Sequence, residues 1–131
     1  MLTRSELEEI AQARIQDGRV LLDSERYDGA IYLCGYAVEI ALKGSICETL
    51  GWDGYPSTTK EFANYQTFRT HNLDVLLRLS GSEHKVKTKF LAEWSAVAVW
   101  DPEIRYRPPG SATKQGAELM IESSRKLLSA L

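Results

Sequence analysis

The chain has 131 residues, 44% hydrophobic and 26% charged, with a formal net charge of −2. That length is one domain, large enough to bury a core without disulfide or metal staples. The slightly acidic balance excludes a surface that broadly coats nucleic acid, while leaving room for a local basic patch.

The N-terminal MLTRSELEE lacks the apolar centre of a signal peptide, and no run is read as approaching membrane-spanning length. Cys34 and Cys47 fall on one predicted helix, about 20 Å apart along its axis, too far to bridge within one chain. A cytoplasmic protein without membrane association is the expectation.

Thr3 followed by Glu6 reads as a capping box that opens the first helix. That helix runs to about Ser24, with Leu7, Ile10, Ala11, Leu21 and Leu22 inward and Arg14 snorkelling at the rim. The tight connection Ser24–Asp28 makes the first two helices antiparallel neighbours.

The stretch Gly29–Leu50 is the longest apolar-rich segment and the predicted central helix. At 100° per residue, Ala30, Leu33, Cys34, Ala37, Val38, Ala41 and Ser45 share one face, and small residues there permit close helix approach. Gly35 and Gly44 each lower helix propensity by up to about 1 kcal/mol, so tertiary packing must hold the helix. Tyr32, Tyr36, Glu39 and Lys43 line the opposite side. Two readings of that stripe stand. It is a solvated face with a Glu39–Lys43 pair, or an interface or site, because two tyrosines offer large amphipathic surface.

Gly51 ends the central helix, and residues 52–69 carry turn formers with at most a short helical turn around Lys60–Gln66. Thr70–Ser80 reads as a short helix with Leu73, Leu76 and Leu77 inward, stopped by Gly81. A further helix spans about Glu83–Trp100, with Val86, Phe90, Trp94 and Val97 on one face and Leu91 and Ala98 beside it. Asp101-Pro102 ends it, and Arg107–Ser111 is a non-helical connector. The last helix begins near Ala112 and buries Ala117, Met120, Ile121, Leu127 and Leu128. The sum is an all-α chain, an antiparallel up-and-down bundle of four main helices plus one short helix.

Few residues offer conventional chemistry. Only His71 and His84 are histidines. Two histidines and two cysteines do not make a metal spacing. Neither a phosphate-binding glycine loop nor a nucleophile elbow is present, so no cofactor and no metal are expected. His71 sits where a helix begins, either bonded to backbone or a carboxylate, or contacting phosphate or Glu39 in a polar pocket. Arg105 and Arg107 flank Tyr106, an arrangement suited to stacking on a base while holding phosphate. The alternative is that Arg105 pairs with Glu39 and locks the loop.

The run Tyr27-Asp28-Gly29-Ala30-Ile31-Tyr32 leads into Gly35-Tyr36-Ala37-Val38-Glu39 and Ala41-Leu42-Lys43. His71-Asn72-Leu73 with Leu76-Leu77 follows, then Trp100 with Arg105-Tyr106. In order and spacing these resemble the HEPN domain family (higher eukaryotes and prokaryotes nucleotide-binding) over roughly residues 7–125. The resemblance implies a helical bundle that forms homodimers, often partnered with nucleotidyltransferases or acting in toxin–antitoxin and defence systems. Several members are metal-independent ribonucleases that carry an arginine followed four to six residues later by a histidine. No histidine follows Arg105 here. Arg78 and His84 fit that spacing, but across a helix break and in a different element.

Two function classes follow. One is a non-catalytic dimeric binding module, engaging nucleotide, RNA or a nucleotidyltransferase-type partner through Tyr32, Tyr36, Glu39, Lys43, His71, Arg105 and Tyr106. The other is a ribonuclease using a displaced Arg/His pair.

Overall fold

The computed structural model describes residues 1–131. Its elements in chain order are β1 (Leu2–Thr3), α1 (Arg4–Asp23), α2 (Tyr27–Leu50), β2 (Gly54–Tyr55), α3 (Thr59–Phe62), a 3-10 turn Gln66–Phe68, α4 (Leu73–Ser80), α5 (Glu83–Lys89), α6 (Leu91–Val97), a second 3-10 turn Pro102–Tyr106, and α7 (Lys114–Ala130). The chain is all-α. Its only strands are two residues long and pair antiparallel, Leu2 opposite Tyr55 and Thr3 opposite Gly54.

The capping box opens α1 as its sequence implies. The Glu6 backbone N–H donates to Thr3 Oγ1 at 3.2 Å, and the Thr3 N–H donates to the Glu6 carboxylate at 2.7 Å. A second box, Thr58 with Glu61, starts α3 inside the stretch that sequence reading left least defined. Its Thr-x-x-Glu pattern was present in the sequence. Gly51, at φ 66°, ends α2. The Trp52 N–H reaches the Cys47 carbonyl at 2.8 Å and the Gly51 N–H reaches Glu48 at 3.3 Å, a Schellman closure.

The α2 helix is the hub, packed by α1, α4 and α7. Two of its contacts are closer than ordinary side chains allow. A Cβ on Gly18 of α1 would lie 2.6 Å from Cys34 Sγ, and a Cβ on Gly35 would lie 2.2–2.4 Å from three ring atoms of Trp100. The low helix propensity of Gly35 is therefore offset by the burial of a tryptophan against bare backbone.

Some expectations need correction. The helix expected over Glu83–Trp100 is two helices, broken at Phe90, whose φ of −131° and ψ of 32° leave the helical region. The apolar spacing runs through the break. The change of direction lets α5 lie beside α4 while α6 packs on α7. Leu91, just past the break, faces solvent. The last helix starts at Lys114, capped by Thr113, close to the expected Ala112.

The central helix also lacks a solvent face, because Glu39, Ile40, Leu42, Gly44, Ile46 and Cys47 are buried together with the small-residue side. With 24 residues, α2 is long and apolar enough to cross a membrane by length and composition, contrary to the expectation that no run approaches that length. The physical reason is that a helix enclosed by its neighbours is apolar nearly all round. Cys34 and Cys47 are both buried and free, and burial pushes the Cys34 thiol up to about 12.

Candidate functional site

The polar stripe on α2 is not an exposed patch but a seam between α2 and the segments laid across it. Glu39 is 0% exposed. A carboxylate removed from water this completely is tolerable only when paired and hydrogen-bonded. One turn on, Lys43 supplies the first partner, its Nζ 3.0 Å from Glu39 Oε2. The Lys43 ammonium also lies 5.4 Å from the centroid of the Tyr55 ring, so the aromatic face is its second anchor. Tyr55 is fixed in turn, donating its hydroxyl to the Phe68 carbonyl at 2.6 Å.

His71 is the other partner. Its Nδ1 stands 3.0 Å and 3.1 Å from the two carboxylate oxygens of Glu39. Asn72 follows it as the α4 cap, its side chain accepting the Val75 N–H at 3.1 Å. The ring itself is 64% exposed. An ionised carboxylate only accepts, so Nδ1 carries the hydrogen, and in the neutral imidazole Nε2 is the free acceptor. A buried carboxylate thus holds an exposed imidazole in one orientation. Of the alternatives for His71, the bond to Glu39 is the one formed.

Tyr36 lies between this cluster and Tyr32. Burial, then the Glu39 and Tyr32 side chains, raise its hydroxyl pKa, with Arg14 opposing, so it remains a neutral donor. Arg14 is taken up by Asp17 at 2.9 Å.

Tyr32 opens the second cluster. Its ring packs 6.1 Å from Trp100, whose side chain fills the Gly35 notch. Beyond it, the Pro102–Tyr106 turn presents Arg105, its guanidinium 4.9 Å from the Tyr106 ring centroid. The Tyr32 side chain first, and Tyr106 second, favour the charged form of Arg105. The expected alternative, an Arg105–Glu39 pair, does not form. Glu39 is occupied by Lys43 and His71, and Tyr32 precedes Glu39 by seven positions, about 10 Å along the helix axis.

Arg105 opens instead onto a cleft of about 460 Å³ that Arg26, Tyr27, Tyr32, Ile104 and Arg107 help to line. Asp28 builds its far wall. The Asp28 carboxylate accepts the Gly110 N–H at 2.7 Å and the Ala112 N–H at 3.0 Å, lashing the proline-rich connector to the start of α2. Gly110, at φ 88°, permits the turn. Three arginines and two tyrosines therefore border one cleft where α2 begins, with Glu25 beside them. A smaller indentation of about 200 Å³ between α1, α2 and α7 has Arg4 paired with Glu48 at 2.8 Å and with Glu8 at 3.7 Å.

The sequence-predicted residues thus divide into two groups. Glu39, Lys43 and His71 form one, Tyr32, Arg105 and Tyr106 the other, and Tyr36 lies between them. Arg26 and the wall-building role of Asp28 were not predicted. Nothing local marks Arg26, which joins the cleft only because α2 starts beside the connector. Arg78 and His84 are both exposed, on α4 and α5, and no hydrogen bond or ion pair joins them.

A family model for the HEPN domain matches residues 5–131. No curated protein and no solved structure gave a match.

Proposed function

We propose that this chain, which belongs to the HEPN domain family, is a binding module: a homodimeric, non-catalytic, cytoplasmic protein of a bacterial toxin–antitoxin or defence-like system that engages nucleotide, RNA or a nucleotidyltransferase-type partner. The observation that carries the ligand part is the convergence of Arg26, Arg105 and Arg107 on one cleft beside Tyr27 and Tyr32. Guanidinium groups grip phosphate oxygens through paired N–H donors, and the tyrosine rings offer a face to a base. No histidine lines this cleft, and arginine does not shuttle protons at neutral pH, so the cleft is suited to holding rather than cutting. Dimerisation is what the family resemblance implies, and exposed Tyr106, next to Arg105, supplies aromatic surface for it.

The test is the variant Arg105→Ala. Because Arg105 is exposed and pairs with no carboxylate, its thermal unfolding should match the parent protein. Binding of nucleotide or RNA, followed by calorimetry, should fall about tenfold for the loss of one charged contact. Unchanged affinity would contradict the assignment.

A second reading, a metal-independent ribonuclease, draws its support from the oriented imidazole of His71 on Glu39 rather than from Arg78 and His84. A base needs its free nitrogen fixed and accessible, and Nε2 of His71 is both. Cleavage of single-stranded RNA that is lost in His71→Ala would favour this reading over the first.

A further inference from the structure

We infer that the three-arginine cleft recognises a terminal phosphomonoester, the free phosphate end of a nucleotide, rather than the internal phosphodiesters of a nucleic-acid strand. The inference rests on the binding reading above and specifies its ligand.

The argument is one of charge distribution. A strand that passes through a site is held by cations spaced along its track, each neutralising one phosphate. Here three cations without a carboxylate partner are gathered at one point. Arg26, Arg105 and Arg107 line the same cleft, with Glu25 and Asp28 as its acidic members, and none of the three arginines is in a salt bridge with a carboxylate. Leaving the cleft along the α2 seam, the next cations are already engaged. Arg14 is held by Asp17 at 2.9 Å, and Lys43 by the buried Glu39 at 3.0 Å. Arg14 and Lys43 are therefore already compensated and add little positive charge for a polyanion to follow.

The cleft also has a wall. Asp28 holds the connector across it through the Gly110 and Ala112 N–H groups. Asp28 and Glu25 both line the cleft, and their charge sets a penalty on any additional phosphate pushed past the arginines. A phosphomonoester carries close to two charges at neutral pH on three terminal oxygens, and it matches several guanidinium forks at once. An internal diester carries one charge and two free oxygens. The volume of about 460 Å³ is in the range of pockets that enclose a single small ligand. The formal net charge of −2 adds a general repulsion toward long polyanions that a short ligand escapes.

Two sources supply this chemistry, a free mononucleotide and the 5′-phosphorylated end of an RNA. Binding of adenosine 5′-monophosphate, adenosine, and one eight-nucleotide RNA bearing either a 5′-phosphate or a 5′-hydroxyl separates them. Adenosine and the 5′-hydroxyl RNA should each bind at least about tenfold more weakly than their phosphorylated counterparts. Inorganic phosphate should displace the tight binders. Arg26→Ala and Arg107→Ala should remove the preference while leaving the melting temperature unchanged, since both side chains are exposed. Tight binding of the monophosphate identifies a free nucleotide as the source. Tight binding of the 5′-phosphorylated RNA alone identifies the RNA end. Equal affinity for the two RNAs would overturn the terminal-phosphate inference and leave the binding module standing. Failure of all four ligands to bind would overturn both.

Discussion

Glu39 and His71 are joined by a hydrogen bond, yet they stand in opposite environments, and their substitutions should differ accordingly. Removing the Glu39 side chain leaves the Lys43 ammonium, 14% exposed, without its counter-charge inside the fold. Breaking a buried pair from one side costs about 3–5 kcal/mol, so Glu39→Ala should be destabilised by about that much in urea. His71 contributes from the surface, with its ring 64% exposed. His71→Ala leaves Glu39 still paired with Lys43, and its loss should be about 1 kcal/mol or less, the net worth of one hydrogen bond. A large loss for His71→Ala would mean that the imidazole props the fold rather than being displayed by it. The pair was only half legible in the sequence. The i, i+4 spacing of Glu39 and Lys43 is visible on a helical wheel. The burial of Glu39 is not, because it depends on residues 52–71 folding back over α2.

At the scale of elements, the helices with strong punctuation were readable and those shaped by neighbours were not. Thr3 and Glu6 fix the start of α1, Gly51 fixes the end of α2, and Gly81 at φ 79° fixes the end of α4. Each is a local chemical signal whose outcome does not depend on distant residues. The break at Phe90 has no such signal, neither proline nor glycine, and arises because α5 and α6 answer to different partners. The polar stripe on α2 is a covered seam rather than a solvated face for a related reason. Periodicity separates polar from apolar sides, but it does not say that a polar side will be covered by Trp100, Tyr55 and His71. The covering is specific enough to test. With three Trp100 ring atoms 2.2–2.4 Å from a Cβ at position 35, Gly35→Ala must push the indole out. Overpacking of this kind costs about 1–3 kcal/mol, despite the better helix propensity of alanine. Urea denaturation with a shifted tryptophan emission would register both effects. A variant as stable as the parent would show that the Trp100 contact is loose.

For the whole molecule, the fold sets three arginines without a carboxylate partner at one end of α2 and pairs Lys43 of the polar seam with Glu39. The proposed binding role rests on that distribution more than on any single residue. The proposed dimer predicts a mass near twice 14.7 kDa by light scattering at micromolar concentration, the closed pair being the commonest symmetric assembly. A clean monomer at high concentration would remove the dimer from the account. The central claim, that the chain binds phosphate-bearing ligand without cutting it, meets its most direct test in one tube. A 5′-phosphorylated single-stranded RNA is titrated with purified protein in metal-free buffer, and the RNA is then resolved by length. The account predicts binding that weakens as salt rises and that falls in Arg105→Ala, with the RNA recovered at full length. RNA shortened by the parent protein but intact with His71→Ala would contradict it.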